Sequence, residues 1–288
     1  MNFKESLKKF LSENSIVLAG RGPSKTLHIA HLFIAKLLNQ INLPVLFQIS
    51  DDEKAYRDNV NFSDLEQFYA PYYKIFGDKK NTQIFLNSKN SHKLYELIFK
   101  YGNRVKVSKI FSIFGYSHNS TMGELNYALV QALTPLYLTE KYNTKKIGII
   151  TGIDQKPFFE VLCKQITTVE LDLFYIPVTI GLDGQKMSSS MANTINLYDS
   201  NECIRIKIKK ALSSNHKLGE APTEEHLKKD FCYNILNIIK MLDFSNSQKI
   251  LDILISYKLG RLSSSNLKEK TTNIIITFLT EFKQEYNL

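Results

Sequence analysis

Cysteine is scarce in this 288-residue chain, and long apolar runs are missing from it. The three cysteines, Cys163, Cys203 and Cys232, are odd in number and far apart. This excludes a disulfide framework and a paired-cysteine metal site, and it favours a reducing compartment. The longest apolar stretches are much shorter than the roughly 20 residues that a membrane-spanning helix needs. The sequence therefore predicts a protein without a membrane span.

The N-terminal segment lacks the features of a targeting peptide. It has no apolar core of a signal peptide, and it contains Glu5 and Glu13, whereas transit peptides are poor in acidic residues. Its apolar residues share one helical face: Phe3, Leu7, Phe10 and Leu11. The segment is therefore predicted to form the first helix of a cytoplasmic protein.

Composition and charge are those of a folded, basic protein. Hydrophobic residues make up 43% of the chain and charged residues 23%, which excludes wholesale disorder and collagen-like or fibrous classes. The 37 lysines and arginines outnumber the 28 aspartates and glutamates and give a net charge of +9. This balance is compatible with a polyanionic partner and does not identify one.

Strand-like apolar runs alternate with helical patterns over the first two thirds of the chain. The predicted strands are rich in β-branched residues and cover 15–19, 45–50, 83–86, 146–151 and 174–179. Strand followed by helix, repeated, predicts an α/β fold: a Rossmann-like domain with a mostly parallel sheet and helical insertions.

After about residue 193 the pattern becomes purely helical. Apolar residues recur at helical spacing in three groups: Ile204, Ile208 and Ala211; Ile235, Ile238, Ile239 and Leu242; and Ile253, Leu254 and Tyr257. We therefore predict a nucleotide-binding domain over 1–194, with a helical insertion at about 63–138, and a C-terminal all-helical domain over 195–288.

A glycine-rich turn follows the first predicted strand. Gly20-Arg21-Gly22-Pro23-Ser24 leads into a helix that begins near His28 and His31. Glycines at such a turn let the backbone approach a ligand, and the N–H groups at a helix start favour phosphate, so this is a candidate nucleotide site. The P-loop motif GxxxxGK(S/T) is absent from the sequence. The dinucleotide fingerprint GxGxxG is also absent, because Lys25 stands where its third glycine would be.

The two histidines of this helix start are three residues apart and share one helical face. Both imidazoles could donate to a phosphate oxygen, whereas the structural alternative is a capped helix with two polar surface histidines. A metal site is a weaker interpretation of the pair, because no third ligand lies near it in the sequence.

A polar loop over 183–190 is the second candidate site. Lys186 is flanked by glycine and serine, so it can swing over a triphosphate while Ser188 and Ser189 hold phosphate oxygens. The structural alternative is an ordinary solvated loop.

Taken together, the two candidate sites resemble the signature elements of one family. His28-Ile29-Ala30-His31 resembles the HIGH element of class I aminoacyl-tRNA synthetases, and Lys186-Met187-Ser188-Ser189-Ser190 resembles their lysine-containing loop. The order along the chain is also that of the family. Five further blocks resemble archaeal and eukaryotic tryptophanyl-tRNA synthetases, and they extend the resemblance over nearly the whole chain: 20–24, 48–54, 128–132, 152–159 and, more weakly, 260–268.

The resemblance implies an activity and a set of site residues. The family joins an amino acid to ATP, with Mg²⁺ assisting, and then moves the aminoacyl group to tRNA; members of this subclass are homodimers. It implies catalytic roles for His28, His31 and Lys186. It implies ATP binding by Gly20, Arg21, Gly22, Ser24, Ala30, Lys186, Met187, Ser188 and Ser189. The implied amino-acid pocket contains Leu18, Gln48, Glu53, Gln131, Gln155 and Phe159, with Gln48 reading the indole N–H and the helical domain touching the anticodon.

Three departures from the family pattern accompany this resemblance. Leu18 stands where these tryptophanyl enzymes have a tyrosine that helps Gln48, and Ala30 replaces the glycine of HIGH. Only 19 residues precede Gly20, whereas relatives carry an N-terminal extension that helps to close over ATP, so closure is expected to be simpler or activity lost. The departure at Leu18 weakens the selection of tryptophan in particular.

Three alternatives therefore stand beside a tryptophan–tRNA ligase. The first is a tyrosine-specific relative, which Leu18 favours. The second is a non-catalytic paralogue that binds tRNA or an adenylate. The third is another HIGH-type nucleotidyltransferase that acts on a small acid, which leaves the helical domain without a role.

Overall fold

The computed structural model of the chain describes residues 9–10, 13, 16–41, 43–77, 81–166, 168–214, 216–242 and 247–288. The first helix predicted from the sequence lies mostly outside these ranges: of its four apolar residues, only Phe10 is described, and its ring packs against Phe174 with centroids 5.5 Å apart.

Five parallel strands form one sheet in the order β3-β2-β1-β4-β5. Their bounds are β1 Val17–Arg21, β2 Val45–Ile49, β3 Thr82–Leu86, β4 Lys146–Gly152 and β5 Glu170–Ile176. The chain order reverses at β1 and β4, which is the doubly wound arrangement whose ligands bind beyond the carboxyl ends of the strands. The predicted α/β fold with a parallel sheet is confirmed.

Two of the strands are displaced from their predicted positions. Strand β1 runs on to Arg21, because Gly20 and Arg21 pair with Gln48 and Ile49 of β2. Strand β5 was predicted over 174–179, and this is wrong by several residues: β5 starts at Glu170 and ends at Ile176. It pairs over its whole length with β4, and Pro177, which has no N–H to donate, follows its last residue.

One face of the sheet is closed by an apolar cluster. The strands supply Leu18, Leu46, Phe85, Ile147 and Ile149, and Ile16 joins them from just before β1. Leu138 covers them from the long helix described next, and Phe159 packs against the same cluster. Because side chains alternate along a strand, Gly20 and Gln48 continue this face toward the carboxyl ends of β1 and β2.

Helices connect the strands between β2 and β5. Helix α1, Ile29–Leu38, precedes them and lies between β1 and β2 in the chain. The helices after β2 are α2 Asp52–Asp58, α3 Glu66–Phe76, α4 Ser91–Tyr101, α5 Val107–Phe114, α6 Met122–Lys141 and α7 Lys164–Ile166. The short α7 follows a π-helical segment, Phe158–Cys163. Helix α6 begins with a reciprocal capping box, in which Thr121 and Glu124 each accept from the other's backbone N–H.

The C-terminal part of the described chain is helical. Its helices are α8 Asn201–Lys210, α9 Glu224–Lys229, α10 Phe231–Leu242, α11 Ser247–Lys258 and α12 Ser264–Glu285. All ten apolar residues predicted from helical spacing are buried here, each less than a tenth exposed. Across the described ranges, no helix is long and apolar enough to cross a membrane.

The chain divides into two compact units. We call Glu5–Lys25 with Ile41–Ile176 the sheet unit, and Met1–Lys4, Thr26–Gln40 and Pro177–Leu288 the helical unit. The sheet unit contains all five strands, and β3 lies inside the interval 63–138. The helical unit contains α1 and α8 to α12. The domain boundaries drawn from the sequence, at 194 and around 63–138, stay a prediction.

Candidate functional site

In the sheet unit, the glycine turn, which begins within β1 at Gly20, lies against two side chains of the predicted amino-acid pocket. A Cβ atom at Gly20 would lie 3.4 Å from Cβ of Gln48, and one at Gly22 would lie 3.2 Å from Oε2 of Glu53. The Tyr72 hydroxyl donates to the Gly22 carbonyl at 3.1 Å and holds the turn in place. A side chain at Gly20 would be in ordinary contact with Gln48, whereas one at Gly22 would lie tightly against the Glu53 carboxylate, so the close approach requires glycine mainly at Gly22. Further along the turn, the Ser24 N–H donates to the Phe68 carbonyl at 3.0 Å.

Gln48 is buried at the end of β2, and its amide orientation is fixed. Its Nε2 donates to Oδ1 of Asn87 at 2.9 Å and to Oγ1 of Thr134 at 3.3 Å. Thr134 in turn donates to the Val130 carbonyl at 2.9 Å, so its oxygen is available to Gln48 only as an acceptor. Both amide protons of Gln48 are thereby used, and its Oε1 remains as an acceptor for a ligand donor.

Two buried carboxyl groups support this arrangement at the ends of β2 and β3. Asp51 accepts from the Ser88 N–H at 3.0 Å and from the Ser88 hydroxyl. Asp52 accepts from Nδ2 of Asn87 at 3.0 Å. The Asn87 side chain thus has its donor on Asp52 and its acceptor facing Gln48, so neither amide can rotate without breaking a buried hydrogen bond.

Asp52 titrates far above the usual range of an aspartate. Burial raises its pKa from 3.8 to about 7; the hydrogen bond from Asn87 lowers it, and the neighbouring carboxylates of Asp51 and Glu53 raise it further. Around neutral pH, a large share of the molecules therefore carries a proton on this carboxyl group. A neutral carboxyl is much cheaper to bury than a charged one.

Glu53 and Gln131 are brought together through Tyr127. The Tyr127 hydroxyl donates to Oε2 of Glu53 at 3.4 Å and accepts from Nε2 of Gln131. Burial, followed by the charge of Glu53, raises the pKa of Tyr127 well above its ordinary value, so this hydroxyl stays a donor. The other carboxylate oxygen of Glu53 accepts from the Arg57 guanidinium at 2.7 Å.

The remaining predicted pocket residues lie outside that hydrogen-bond chain. Gln155 is half-buried, and its Nε2 donates to the carboxylate of its neighbour Asp154 at 3.1 Å. Phe159 is half-buried and packs against Phe158 in an edge-to-face pair, with ring centroids 4.8 Å apart. Leu18 is 2% exposed and belongs to the apolar cluster of the sheet. The predicted roles of these three residues stay predictions.

In the helical unit, His28 and His31 form the first turn of α1. His28 is the extended residue that precedes the helix, and its backbone N–H donates to Nδ1 of His31 at 3.2 Å. The two rings are close, with centroids 3.8 Å apart and planes tilted by 34°. Because Nδ1 of His31 accepts, the neutral imidazole carries its proton on Nε2 and presents a donor there. Ala30, which follows within the same turn, is buried.

The lysine loop, residues 183–190, closes a short hairpin in the helical unit. The Met187 N–H donates to the Thr179 carbonyl at 2.8 Å, and the Gly181 N–H donates to the Gln185 carbonyl at 2.7 Å. Gly184 has a positive φ of 80°, and a Cβ there would lie 2.4 Å from Leu212. Met187 is buried under the loop, whereas Lys186 and Ser189 are exposed and Ser188 is half-buried.

The Asn193 side chain holds the lysine loop through hydrogen bonds. It is 3% exposed and makes three hydrogen bonds: Oδ1 accepts from the Ser188 N–H at 2.9 Å, and Nδ2 donates to Asp183 Oδ1 at 2.8 Å and to the Lys186 carbonyl at 3.1 Å. Partial burial acts to raise the pKa of Asp183, but the hydrogen bonds from the Gln185 N–H and from Asn193 outweigh it and leave the pKa lowered.

The segment 193–197 joins the lysine loop to the histidine turn. At one end, Asn193 holds the loop, and its carbonyl accepts from the Leu182 N–H at 2.9 Å. At the other end, the Ile29 N–H donates to the Ile195 carbonyl and the Leu197 N–H to the Leu27 carbonyl, both at 2.9 Å. Two motifs more than 150 residues apart in the chain are thus tied to one backbone segment.

The structure also shows polar residues that sequence reasoning missed. They are Asp52, Asn87, Tyr127, Thr134 and Asn193. A signal existed for two sets of them. Asn87 directly follows β3 at the carboxyl edge of the sheet, where ligand-binding residues collect. Tyr127, Gln131 and Thr134 are spaced four and three residues apart, which places them on one face of α6.

Comparisons with known proteins show which proteins this chain is similar to. A family model described as tRNA synthetases class I (W and Y) matches residues 11–280. The tryptophan–tRNA ligase of Encephalitozoon cuniculi is 25% identical over 92% of this chain and 73% of its own length. That of Thermococcus onnurineus is also 25% identical, over 92% of this chain and 72% of its own length.

Solved structures share the fold. The tryptophanyl-tRNA synthetase of Aeropyrum pernix superposes with a TM-score of 0.78 at 21% identity, covering 98% of this chain and 82% of that one. The tyrosyl-tRNA synthetase of Archaeoglobus fulgidus gives 0.76 at 18% identity, covering 98% and 94%. Because the family model spans nearly the whole chain, and because segment 193–197 holds the histidine and lysine motifs in one unit, this chain belongs to the class I tRNA synthetases for tryptophan and tyrosine.

Proposed function

We propose that this chain is a tryptophan–tRNA ligase, which forms tryptophanyl-adenylate from tryptophan and ATP and passes the tryptophanyl group to tRNA. The fixed orientation of Gln48 carries the choice of amino acid. Its amide protons are held by Asn87 and Thr134, which leaves an acceptor. The indole ring offers a single N–H donor and no acceptor, so a fixed carbonyl oxygen is its natural partner. The curated relatives reported above, which are tryptophan–tRNA ligases, support the same choice.

The substrate ammonium group is proposed to bind at Glu53, Gln131 and Gln155. A carboxylate and two amide oxygens supply three acceptors, which matches the three donors of an ammonium group. The hydrogen bonds around Tyr127 already hold Glu53 and Gln131 near each other. Gln155 completes the set by analogy with the family. Phe159 and Leu18 are proposed as apolar walls of the pocket.

The activation step needs positive charge and hydrogen-bond donors on the phosphates. An oxygen of the tryptophan carboxylate attacks the α-phosphorus of ATP, and the bond from that phosphorus to the bridging oxygen breaks, releasing pyrophosphate. Negative charge builds on the α-phosphoryl oxygens and on the leaving group. We propose that His28, His31 and Lys186 stabilise this charge. Ser188 and Ser189 offer hydroxyls to the phosphates, and Gly20, Arg21, Gly22, Ser24, Ala30 and Met187 are proposed to frame the nucleotide.

Mg²⁺ is proposed to enter with ATP. Within the part of the chain that the structure describes, no group of three or more histidine, cysteine or acidic side chains could hold a metal ion. Mg²⁺ keeps several waters and commonly binds through substrate phosphates, so the phosphate oxygens of ATP would be its main ligands. The further partners in this proposal are tRNA and a second copy of the chain in a homodimer, and the proposed location is the cytoplasm.

The test is ATP–pyrophosphate exchange with each of the twenty amino acids, for the wild type and for Lys186→Ala. We expect exchange with tryptophan, reduced about 100-fold or more in the variant, as when one transition-state donor is lost. Exchange driven by tyrosine would contradict the choice of amino acid and assign Leu18 a role in specificity. Silence with every amino acid would contradict catalysis and leave a tRNA-binding relative.

A further inference from the structure

A cleft lies between α8 and α12 in the helical unit, and none of the residues assigned to catalysis or to ATP lines it. Its volume is about 410 Å³. The lining is polar and charged throughout: Arg205, Lys209, Ser213, Ser264, Ser265, Lys268, Glu269 and Thr272. It contains part of the block 260–268 that the sequence analysis singled out and that no step of adenylate formation uses.

The cleft carries an excess of positive charge. Three cationic side chains face one carboxylate, that of Glu269, which leaves a formal charge of +2 on the lining. Arg205 and Lys209 are both exposed. Across the described ranges, neither the guanidinium of Arg205 nor the ammonium of Lys209 forms an ion pair. Cations on a shared wall without an internal partner favour an anionic ligand.

The positions of the lining groups are set by hydrogen bonds within the helical unit. Nζ of Lys268 donates to the Lys209 carbonyl at 3.0 Å, which ties α12 to the end of α8. The Ser264 hydroxyl lies 3.2 Å from the Tyr257 hydroxyl, which donates to the buried Asp230 at 2.6 Å. The serine at the start of α12 and the lysine one turn later are therefore held in place before any ligand arrives.

We propose that this cleft binds a backbone phosphate of RNA. The combination of guanidinium, ammonium and hydroxyl groups is the chemistry that recognises phosphate oxygens without reading a base. The lining contains no apolar side chain, and its apolar surface comes from the carbon atoms of polar and charged residues. The inference rests on the proposed function, because a tRNA ligase must hold a polyanion, and it assigns a specific part of the helical unit to that contact.

The experiment is the binding of a fluorescently labelled tRNA transcript to the full chain, followed by anisotropy over a series of salt concentrations. No amino acid or ATP is present, so the result is independent of adenylate formation. Arg205→Gln should raise the Kd about tenfold at low salt, as expected for the loss of one charged hydrogen bond. The slope of log Kd against log salt should fall by about one phosphate contact. Lys268→Gln should act in the same direction.

Lys270→Gln is the matched control for charge. Lys270 is exposed on α12, two residues from Lys268, and does not line the cleft. This variant removes the same charge from the same helix and should leave the Kd within about twofold of the wild type. An equal loss of affinity in Lys270→Gln and Arg205→Gln would overturn the proposal, because it would show that only overall charge matters.

Glu269→Gln gives a test that misfolding cannot imitate. Removing the only carboxylate of the lining should tighten RNA binding about threefold and leave the fold intact, because within the described ranges Glu269 makes no ion pair. Weaker binding in this variant would contradict an anion site and would point to a cation instead.

Titration with inorganic phosphate at constant ionic strength distinguishes a free anion from RNA. If inorganic phosphate binds the wild type and not Arg205→Gln, while both bind the transcript equally, the cleft is a small-anion site and the RNA proposal is wrong. Failure of the wild type to exchange pyrophosphate with tryptophan would instead contradict the proposed function, whatever the anisotropy shows.

Discussion

Asn193→Ala tests whether the lysine loop depends on the segment beneath it. The substitution removes three side-chain hydrogen bonds that hold the backbone of Ser188, the carboxylate of Asp183 and the carbonyl of Lys186. At about 1 kcal/mol each, these bonds amount to roughly 3 kcal/mol of loop order. In ATP–pyrophosphate exchange, kcat should fall about 10- to 100-fold, because Lys186 is no longer held where the proposed mechanism needs it. The KM for tryptophan should change little.

A double-mutant cycle separates positioning from general damage. If Asn193 acts through Lys186, the double variant Asn193→Ala, Lys186→Ala should be no slower than Lys186→Ala alone. Asn193→Asp keeps the size and the acceptor for Ser188, but it places an oxygen against Asp183 and should be at least as slow. Asn237→Ala removes a comparable amide in α10, which donates to the Tyr233 carbonyl at 2.9 Å, and serves as the control.

The reasoning would be refuted by multiplicative losses in the cycle. That result would mean that Asn193 and Lys186 contribute to the rate independently, so that the hydrogen bonds beneath the loop do not place the lysine. An Asn237→Ala variant as slow as Asn193→Ala would point to a general loss of stability. Thermal unfolding of all five variants checks this directly, since a loss of 1 kcal/mol lowers the Tm of a protein of this size by about 2–4 °C.

Three further substitutions test the sheet unit. Asp52 has a native pKa of about 7 against 3.8 in the unfolded chain, so the native state binds more protons between these two pH values. The free energy of unfolding should therefore fall by about 1 kcal/mol per pH unit as the pH rises through this range. Asp52→Asn should flatten this dependence in urea titrations. Gly22→Ala places a methyl group 3.2 Å from the Glu53 carboxylate and should raise the KM for tryptophan severalfold while thermal stability changes little; an unchanged KM would show that Glu53 yields freely. Leu18→Tyr overfills a core position that is 2% exposed and should cost about 1–3 kcal/mol of unfolding free energy; a stable variant with improved selection of tryptophan over tyrosine would show that the pocket accepts a second indole partner.

The sequence predicted the parts of the fold that repeat. The period of apolar residues placed Ile208, Ile235 and Tyr257 in the helical core, and all three are buried. Strand β5 was misplaced because Glu170 and Asp172 interrupt the continuous apolar run by which the strands were located. The alternation of Glu170, Leu171, Asp172 and Leu173 has the period of a half-buried strand, and these residues pair with β4.

The candidate site was predictable in its motifs but not in its supporting contacts. His28, His31 and Lys186 could be identified from the sequence, because they stand in short motifs next to glycine and serine. Asn87 and Thr134 do not, because their meaning depends on which strand lies beside β2 and which face of α6 turns toward it. Once β3 pairs with β2, Asn87 stands directly beyond the end of the strand next to Gln48, and two amides that are 39 residues apart form one hydrogen bond.

The contact between the histidine turn and the lysine loop escapes sequence reasoning for a stronger physical reason. Ile29 and Leu197 are joined to their partners through backbone N–H and carbonyl groups, which every residue except proline carries. Such bonds leave no trace in side-chain type, whereas Asn193, at the loop end of the segment, bonds to the loop through its side chain. Segment 193–197 is hydrogen-bonded to the lysine loop at one end and to the start of α1 at the other. A displacement of the loop backbone should therefore also shift the start of α1. The two motifs are therefore mechanically coupled within the helical unit, and a substitution in segment 193–197 should disturb both together.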